Sequence, residues 1–275
     1  WARADAAIFA PLRAQLGFDR AESVNVGAAP TPVEVLEFFH AIGIPVAELW
    51  GMSETTGAGC VNPPGRIRLG TVGPPEPGVE VRLAEDGELL VRGAVVMAGY
   101  RNRPDRTADA IDADGWLHTG DIASIDGDGY VRIVDRKKEI IINAAGKNMS
   151  PANIEATLKA ASPLIGQAAV IGDGRPFITA LIVLDSDFAP AWAAQRGIAA
   201  ADLAELAEQP DVVDAVALAV ERANAKLSRV EQIKRFHVVR GDWLPGGVEL
   251  TPTMKLRRRP ILERYAEEIA AMYAD

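Results

Sequence analysis

The stretch Gly73-Pro74-Pro75-Glu76-Pro77-Gly78 limits what this chain can fold into more than any other. Its prolines remove amide donors and fix φ, so neither a helix nor a central strand can cross it. The texture changes around it, from about residue 66. Upstream, residues 3–16 place Ala7, Ile8, Leu12 and Leu16 at helical spacing. Ser23–Val26 reads as extended. Thr31-Pro32-Val33-Glu34 reads as a capping box opening a helix Pro32–Ala41, and Pro45–Trp50 is extended again. Strand, helix, strand in that order predicts an α/β layer. Downstream, Val79–Leu83 and Glu88–Val91 flank the hairpin signal Asp86-Gly87, and Tyr130–Val134 follows the turn Asp126-Gly127-Asp128-Gly129. With one helical insert, Pro104–Ile111, this middle section reads as a small antiparallel β unit.

Beyond residue 138 helices and strands alternate once more. Glu139–Ile142 is a short strand, and Ser150-Pro151 caps a helix to about Ala160. Gln167–Ile171 and Phe177–Leu184 pair across Asp173-Gly174. A long helical stretch over 202–227, a strand at Phe236–Val239 and a helix Pro260–Tyr273 complete the chain. The domain boundary falls near Asp135–Lys138, where charge clusters between two strand signals.

Composition narrows the function classes. With 29 basic and 38 acidic side chains the net charge is −9, which repels a phosphate backbone and argues against nucleic-acid binding. The longest apolar run, Phe177–Leu184, is far below the ~20 residues that span a bilayer, so no transmembrane segment is expected and peripheral membrane contact stays open. Cys60 is the single cysteine; no internal disulfide can form, and a reducing, cytoplasmic location is the natural reading. The first residue, Trp1, points to a piece of something longer.

Four stretches hold more special residues than folding requires. In Trp50-Gly51-Met52-Ser53-Glu54-Thr55-Thr56-Gly57, a hydroxyl, a carboxylate and glycines follow a strand, where α/β sheets place their ligand crevice. An ordinary polar loop would read the same, and the absence of a following lysine rules out a P-loop. In Gly115-Trp116-Leu117-His118-Thr119-Gly120-Asp121, an Asp after a Gly in a tight turn can hold a vicinal diol, or be an Asx-turn residue. Asp135-Arg136-Lys137-Lys138-Glu139, followed by Asn143–Asn148, reads locally as a solvated charge run. Leu250-Thr251-Pro252-Thr253-Met254-Lys255-Leu256-Arg257-Arg258-Arg259 reads locally as a basic surface patch. His40, His118 and His237 share no metal-ligand spacing and are taken as structural.

In order, GAAPT at 27–31, WGMSETTG at 50–57, GELLVRG at 87–93, GWLHTGD at 115–121, DRKKEII at 135–141 and PTMKLRRR at 252–259 resemble the C-terminal half of an adenylate-forming enzyme. That superfamily comprises acyl-CoA synthetases, peptide-synthetase adenylation domains and luciferases. The likeness runs from about residue 20 to the end. It is strongest to long-chain fatty-acyl-CoA synthetases, because of the TPTMKL stretch and the extended segment of about 185–235. The fold so implied is α/β and α+β. A truncated large adenylation domain (a partial α/β layer plus a small β barrel) at 1–136 is followed by a smaller mobile α+β C-terminal domain at 137–275.

The resemblance also implies the chemistry. Fatty acid attacks the α-phosphate of ATP in the presence of Mg²⁺, giving acyl-adenylate and pyrophosphate; CoA then displaces AMP. Lys255 matches the adenylation lysine, and most of the family carries Gly where this chain has Met254. Glu54 matches the Mg²⁺ carboxylate and Ser53 a phosphate-contacting hydroxyl. Trp50, with Gly51 and Met52, stands at the adenine-stacking position, Gly27, Ala28, Ala29 and Pro30 wall the adenine and acyl pocket, and Asp121 with Arg136 bind the ribose. Lys138 aligns with the hinge, and Gly146 with Lys147 form the loop that enters the site in the thioester-forming state. The family's Ser/Thr/Gly-rich triphosphate loop has no counterpart here, so the isolated chain is expected to be inactive, with apolar surface exposed near residues 1–50. Partners on this reading are the three small substrates, together with the missing N-terminal half or a second copy of the chain. Two other readings stay open. One is a ligase for aryl, amino or medium-chain acids; the other is a non-catalytic nucleotide- or acyl-binding module.

Overall fold

A computed structural model describes residues 1–28, 31–200 and 202–274. The chain divides into two compact units, Trp1–Lys138 and Glu139–Asp275.

The first unit opens with α1 (Ala2–Ala4) and α2 (Ala10–Gln15), joined through a π-helical turn at Asp5–Phe9. Strand β1 (Val24–Val26), α3 (Val33–Ala41) and β2 (Val46–Trp50) then form a β–α–β step, with β1 parallel to β2 and Val26 opposite Glu48. Leu36 of α3 packs with Ile42, Ile44 and Val46 beneath this layer. The expected capping box does not form. The helix starts at Val33 after Pro32, and no side chain caps it. The Thr31 backbone instead hydrogen-bonds the half-buried Glu48 carboxylate, whose pKa is raised because burial outweighs that bond and the one from Gly70.

Strand β3 (Cys60–Val61) returns antiparallel to β2. The proline-rich segment then leads into a curled antiparallel half barrel of β4 (Val79–Leu83), β5 (Glu88–Gly93), β6 (Leu117–Ile125) and β7 (Val131–Arg136), with α4 (Pro104–Ala110) inserted between β5 and β6. Sequence reading missed β6, because Gly115 and Gly120 look like turn residues. Gly120 does adopt φ 70°, but at an irregularity inside the strand, so Asp121 lies on a strand rather than in a tight turn. The guanidinium groups of Arg82 and Arg92 lie over Trp116, 4.3 and 4.5 Å from its ring centroid.

The second unit opens on a hairpin, β8 (Ile141–Ile142) with β9 (Asn148–Met149), so the extended run is shorter than the expected 139–142. Next come α5 (Pro151–Ala161), capped by Ser150 Oγ accepting from Asn153 N–H, and the antiparallel pair β10 (Ile165–Ile171) and β11 (Ile178–Leu184). Three helices follow, α6 (Phe188–Ala194), α7 (Leu203–Leu206) and α8 (Pro210–Asn224), so the continuous helix expected over 202–227 is broken before Pro210. Strand β12 (Ile233–Val238) joins β11 in parallel. The C-terminal helix is two pieces, α9 (Arg258–Arg264) and α10 (Ala266–Tyr273), parted at Tyr265, whose backbone is not helical. Every residue of β11 is buried, as expected of a strand covered on both faces. Ile178, Ala180, Ile182 and Leu184 pack toward α5 and α8, while Leu181 and Val183 pack with Trp243, Leu250 and Ile261.

Trp1, Ile8, Leu16, Val33, Val35 and Phe38 are exposed, the apolar surface expected near residues 1–50. Among the described residues no helix is long and apolar enough to cross a membrane. Cys60 is 0% exposed, and burial pushes its thiol up to about 12. Since the thiolate is the reactive form, the native chain should resist a disulfide exchange reagent at pH 8 and react only as urea unfolds it. Labelling of the native chain at the rate of an open thiol would contradict this packing.

Candidate functional site

In the first unit the site is organised around Asp121, which is 4% exposed. The register of β6 and β7 sets Asp121 opposite Arg136, and Arg136 Nε lies 2.8 Å from Asp121 Oδ1. At the end of β2, Trp50 Nε1 donates to Asp121 Oδ2 at 2.8 Å. Three residues singled out separately in the sequence therefore form one hydrogen-bonded set. Trp50 is only 8% exposed, and a Cβ on Gly59 would fall 2.9 Å from its ring. Its visible task is to hold the carboxylate.

The loop after Trp50 is folded by its own backbone. A side chain on Gly51 would collide with the Gly57 carbonyl, its Cβ falling 1.5 Å from that oxygen. The buried Thr55 hydroxyl exchanges hydrogen bonds with the Met52 amide and carbonyl, each at 3.0 Å. The result is a 3₁₀ turn, Ser53–Thr55, which leaves Ser53 exposed and Glu54 half-buried. Residues 95–100 clasp this turn three times. Thr56 Oγ1 donates to Val95 O at 2.7 Å, Met97 N–H donates to Glu54 O at 2.8 Å, and the Tyr100 hydroxyl donates to Glu54 Oε1 at 2.6 Å. The last bond raises the Tyr100 pKa. Tyr100 was missed because an aromatic after a glycine-rich turn carries no period.

Gly27 follows β1 and lies against Leu49, where a Cβ would come within 2.9 Å of the Leu49 carbonyl. Ala28 takes a left-handed φ of 71°. Ala29 and Pro30, also expected in this wall, lie outside the described residues.

Glu88, given no role in the sequence reading, is 6% exposed. It accepts from Gly120 N–H at 2.8 Å, lies 3.3 Å from His118 Nδ1, and pairs with Lys137 Nζ at 3.0 Å. Burial alone would raise its pKa, but Lys137, Gly120 and His118 together lower it. One carboxylate thus braces both the residue before Asp121 and the residue before Lys138, which is itself exposed.

The remaining candidates lie in the second unit. Gly146 sits in the β8–β9 connection with φ 73°, where Asn143 Oδ1 accepts from the Ala145 and Lys147 amides. A Cβ there would meet nothing within 4 Å, so turn conformation rather than crowding calls for glycine. Lys255 is exposed on a short loop stemmed by a Leu250–Leu256 bridge. Thr251 N–H donates to Lys255 O at 2.8 Å, and Lys255 N–H donates to Thr251 Oγ1 at 3.0 Å. Met254 adopts φ 61° in this loop.

Among the described residues no three His, Cys, Asp or Glu side chains gather as a metal cage. Mg²⁺ does not require one, since it commonly binds through one or two carboxylates plus substrate phosphates. Glu54, engaged by Tyr100 at Oε1, fits that donor set.

A family model for AMP-binding enzymes matches residues 6–101, and a model for the AMP-binding enzyme C-terminal domain matches residues 138–275. The chain belongs to the AMP-binding enzymes. Over 274 residues it is 56% identical to a Mycobacterium tuberculosis protein named as a fatty-acid–CoA ligase, fadD11, covering 100% of this chain and 48% of that protein. It is 40% identical over 270 residues to the long-chain-fatty-acid–CoA ligase FadD15 of the same species, covering 98% and 44%. The chain therefore spans about half the length of these relatives. In fold it is similar to the adenylation domain of a Mycobacterium chelonae carboxylate reductase, with a TM-score of 0.74 and 24% identity over 96% of this chain and 41% of that one. It is also similar to the Bacillus subtilis O-succinylbenzoate CoA synthetase solved with ATP and magnesium, with a TM-score of 0.64 and 25% identity over 86% and 46%.

Within this AMP-binding enzyme, Met254 occupies a left-handed conformation that costs a side-chain-bearing residue roughly 1–2 kcal/mol. The side chain is 56% exposed and has little packing to lose. Met254→Gly should raise stability by up to about 1 kcal/mol after glycine's own entropy is counted. A urea midpoint lowered as by an ordinary glycine substitution would show that the loop is not strained.

Proposed function

We propose that this chain is the C-terminal part of a long-chain fatty-acid–CoA ligase that works through an acyl-adenylate. The observation that carries the reading is the similarity along nearly all of its length to proteins named as fatty-acid and long-chain-fatty-acid–CoA ligases. The substrates are ATP, a fatty acid and CoA. In the first step a carboxylate oxygen of the acid bonds to the α-phosphorus, the bridging α–β bond breaks and pyrophosphate leaves. In the second, the CoA sulfur bonds to the acyl carbonyl carbon and AMP departs.

The residues suit these steps. Asp121, held at Oδ2 by Trp50 and at Oδ1 by Arg136, is a fixed acceptor-only carboxylate of the kind that binds ribose hydroxyls. Arg136, half-exposed, offers its remaining donors to the ribose or an adjacent phosphate oxygen. Gly27 and Ala28 line the adenine and acyl side, and Ser53 presents a hydroxyl to phosphate. Glu54, fixed by Tyr100, would hold Mg²⁺, which when bound neutralises phosphate charge. Adenylation brings two anions together, and the Lys255 ammonium supplies the opposing charge where the transition state needs it. Thioester formation needs that lysine gone and CoA admitted. Lys138 serves as the hinge between the units, and the Gly146–Lys147 turn enters the site in its place.

The segment of α6, α7 and α8, which enlarges the second unit, favours a long-chain acid over an aryl, amino or medium-chain one. A lone buried thiol suits the cytoplasm.

Within these 275 residues no Ser/Thr/Gly-rich loop with its lysine is present to grip the β- and γ-phosphates. The purified chain should therefore show no ATP–pyrophosphate exchange, and should gain it on addition of the complementary N-terminal half. Across a panel of acids, exchange by the full-length protein should be fastest with long-chain fatty acids. Exchange with aryl or amino acids alone would overturn the substrate class. AMP binding with no exchange in the full-length protein would point to a binding module instead.

A further inference from the structure

Glu139 and Arg258 belong to two charge runs that each read locally as surface. They are 119 residues apart in sequence, and the second unit brings them together. Arg258 Nη1 and Nη2 lie 2.7 and 2.9 Å from the two oxygens of Glu155, and Nε lies 3.2 Å from Glu139 Oε2. Glu155 Oε1 also accepts the Val170 N–H of β10 at 2.8 Å. The Glu155 side chain is 7% exposed and that of Arg258 21%. Burial would favour a neutral arginine, but the two carboxylates outweigh it and raise the Arg258 pKa.

The position of this cluster along the chain gives it a task. Glu139 directly follows Lys138. Arg258 opens α9 three residues after Lys255, a length of chain that reaches at most about 10 Å. The other end of the lysine loop is also fixed. Leu250 is fully buried, Arg257 N–H donates to Glu249 O at 2.7 Å, and Arg264 Nη1 lies 2.5 Å from Glu249 Oε1. Only Thr251–Lys255 projects from this frame.

We infer that Arg258 is a positioning residue, tying the first residue of the swivelling lobe, Glu139, to the loop that carries Lys255, so that turning at the hinge delivers the ammonium as part of one rigid body. This rests on the proposed ligase reading. The guanidinium suits the task because its planar fork holds Glu155 with two N–H groups while a third reaches Glu139; a lysine ammonium has no such geometry. The two half-reactions depend on it unequally. The Gly146 turn hangs on the β8–β9 hairpin immediately after the hinge and needs no tie, whereas Lys255 comes more than a hundred residues later, and Arg258 links its loop directly to Glu139 beside the hinge.

The test uses Glu139→Ala, which leaves the Arg258–Glu155 pair in place, and Arg258→Lys, which keeps the charge. In the full-length ligase, Glu139→Ala should lower kcat for acyl-adenylate formation on the order of tenfold, with KM for ATP and thioester formation from supplied acyl-adenylate changed by less than about twofold. Its melting temperature should stay within about 2 °C of the parent. Arg258→Lys should lower adenylation further, and in the 275-residue chain both variants should speed amide exchange in 249–257 more than in β11. Equal losses in both half-reactions, or unchanged adenylation and unchanged exchange in 249–257, would reduce the cluster to a structural ion pair and overturn the inference. If the parent makes no acyl-adenylate at all, the ligase reading fails by itself, while the exchange comparison still decides whether Arg258 holds the loop.

Discussion

A carboxylate taken out of water must find donors or lose its charge, and each unit of this chain is organised around that requirement. In the first unit Asp121 is buried where β2, β6 and β7 converge, and Trp50 and Arg136 supply its donors. In the second, Glu155 is buried on the inner face of α5, and Arg258 and the Val170 amide supply them. Removing either carboxylate would strand a buried or half-buried partner, which is why these groups fix strand register and loop position more firmly than exposed ion pairs such as Arg103–Asp105. Glu88 repeats the device beside Lys138, through Lys137.

On the proposed reading, the arrangement also separates what stays still from what moves. Asp121, Glu54 and the Ser53 turn belong to the first unit, held by residues 95–100 and by the half barrel. Lys255 and the Gly146 turn belong to the second, whose three-stranded sheet is apolar on both faces. On the proposed ligase reading, bond formation at the α-phosphorus and then at the acyl carbonyl have opposite needs, which exchanging one projecting element for another would serve. Lys138, exposed where the two compact units divide, is the residue at which the proposal puts that turning.

Much of this was legible in the sequence because local chemistry dictated it. The Asp86-Gly87 hairpin, the apolar run of β11 and the Ser150 cap are short-range features, and each folds as its residues require. What stayed hidden was long-range. Strand β6 was masked by glycines, one of which takes a left-handed φ within the strand, and the 202–227 helix ignored what Pro210 does to a preceding turn. Thr31 had the right chemistry to cap α3, but its backbone serves Glu48. Asp121 was found, but not that the Trp50 indole N–H would hold it. One signal was present and went unread. The buried positions of α5 are Pro151, Ile154, Glu155 and Leu158, so a glutamate stands in the apolar stripe and calls for a cation from elsewhere in the chain. Arg258 could have been sought on that ground.

The most direct measurement is single-turnover formation of acyl-adenylate by the full-length protein carrying Lys255→Ala. If the second unit exists to bring that ammonium to the reacting phosphate, the rate should fall on the order of a hundredfold or more, as when a preorganised charge donor is removed. CoA transfer from supplied acyl-adenylate should continue at nearly the parent rate. An unchanged adenylation rate would contradict the assignment of Lys255 and, with it, the role given to the loop and its Arg258 anchor.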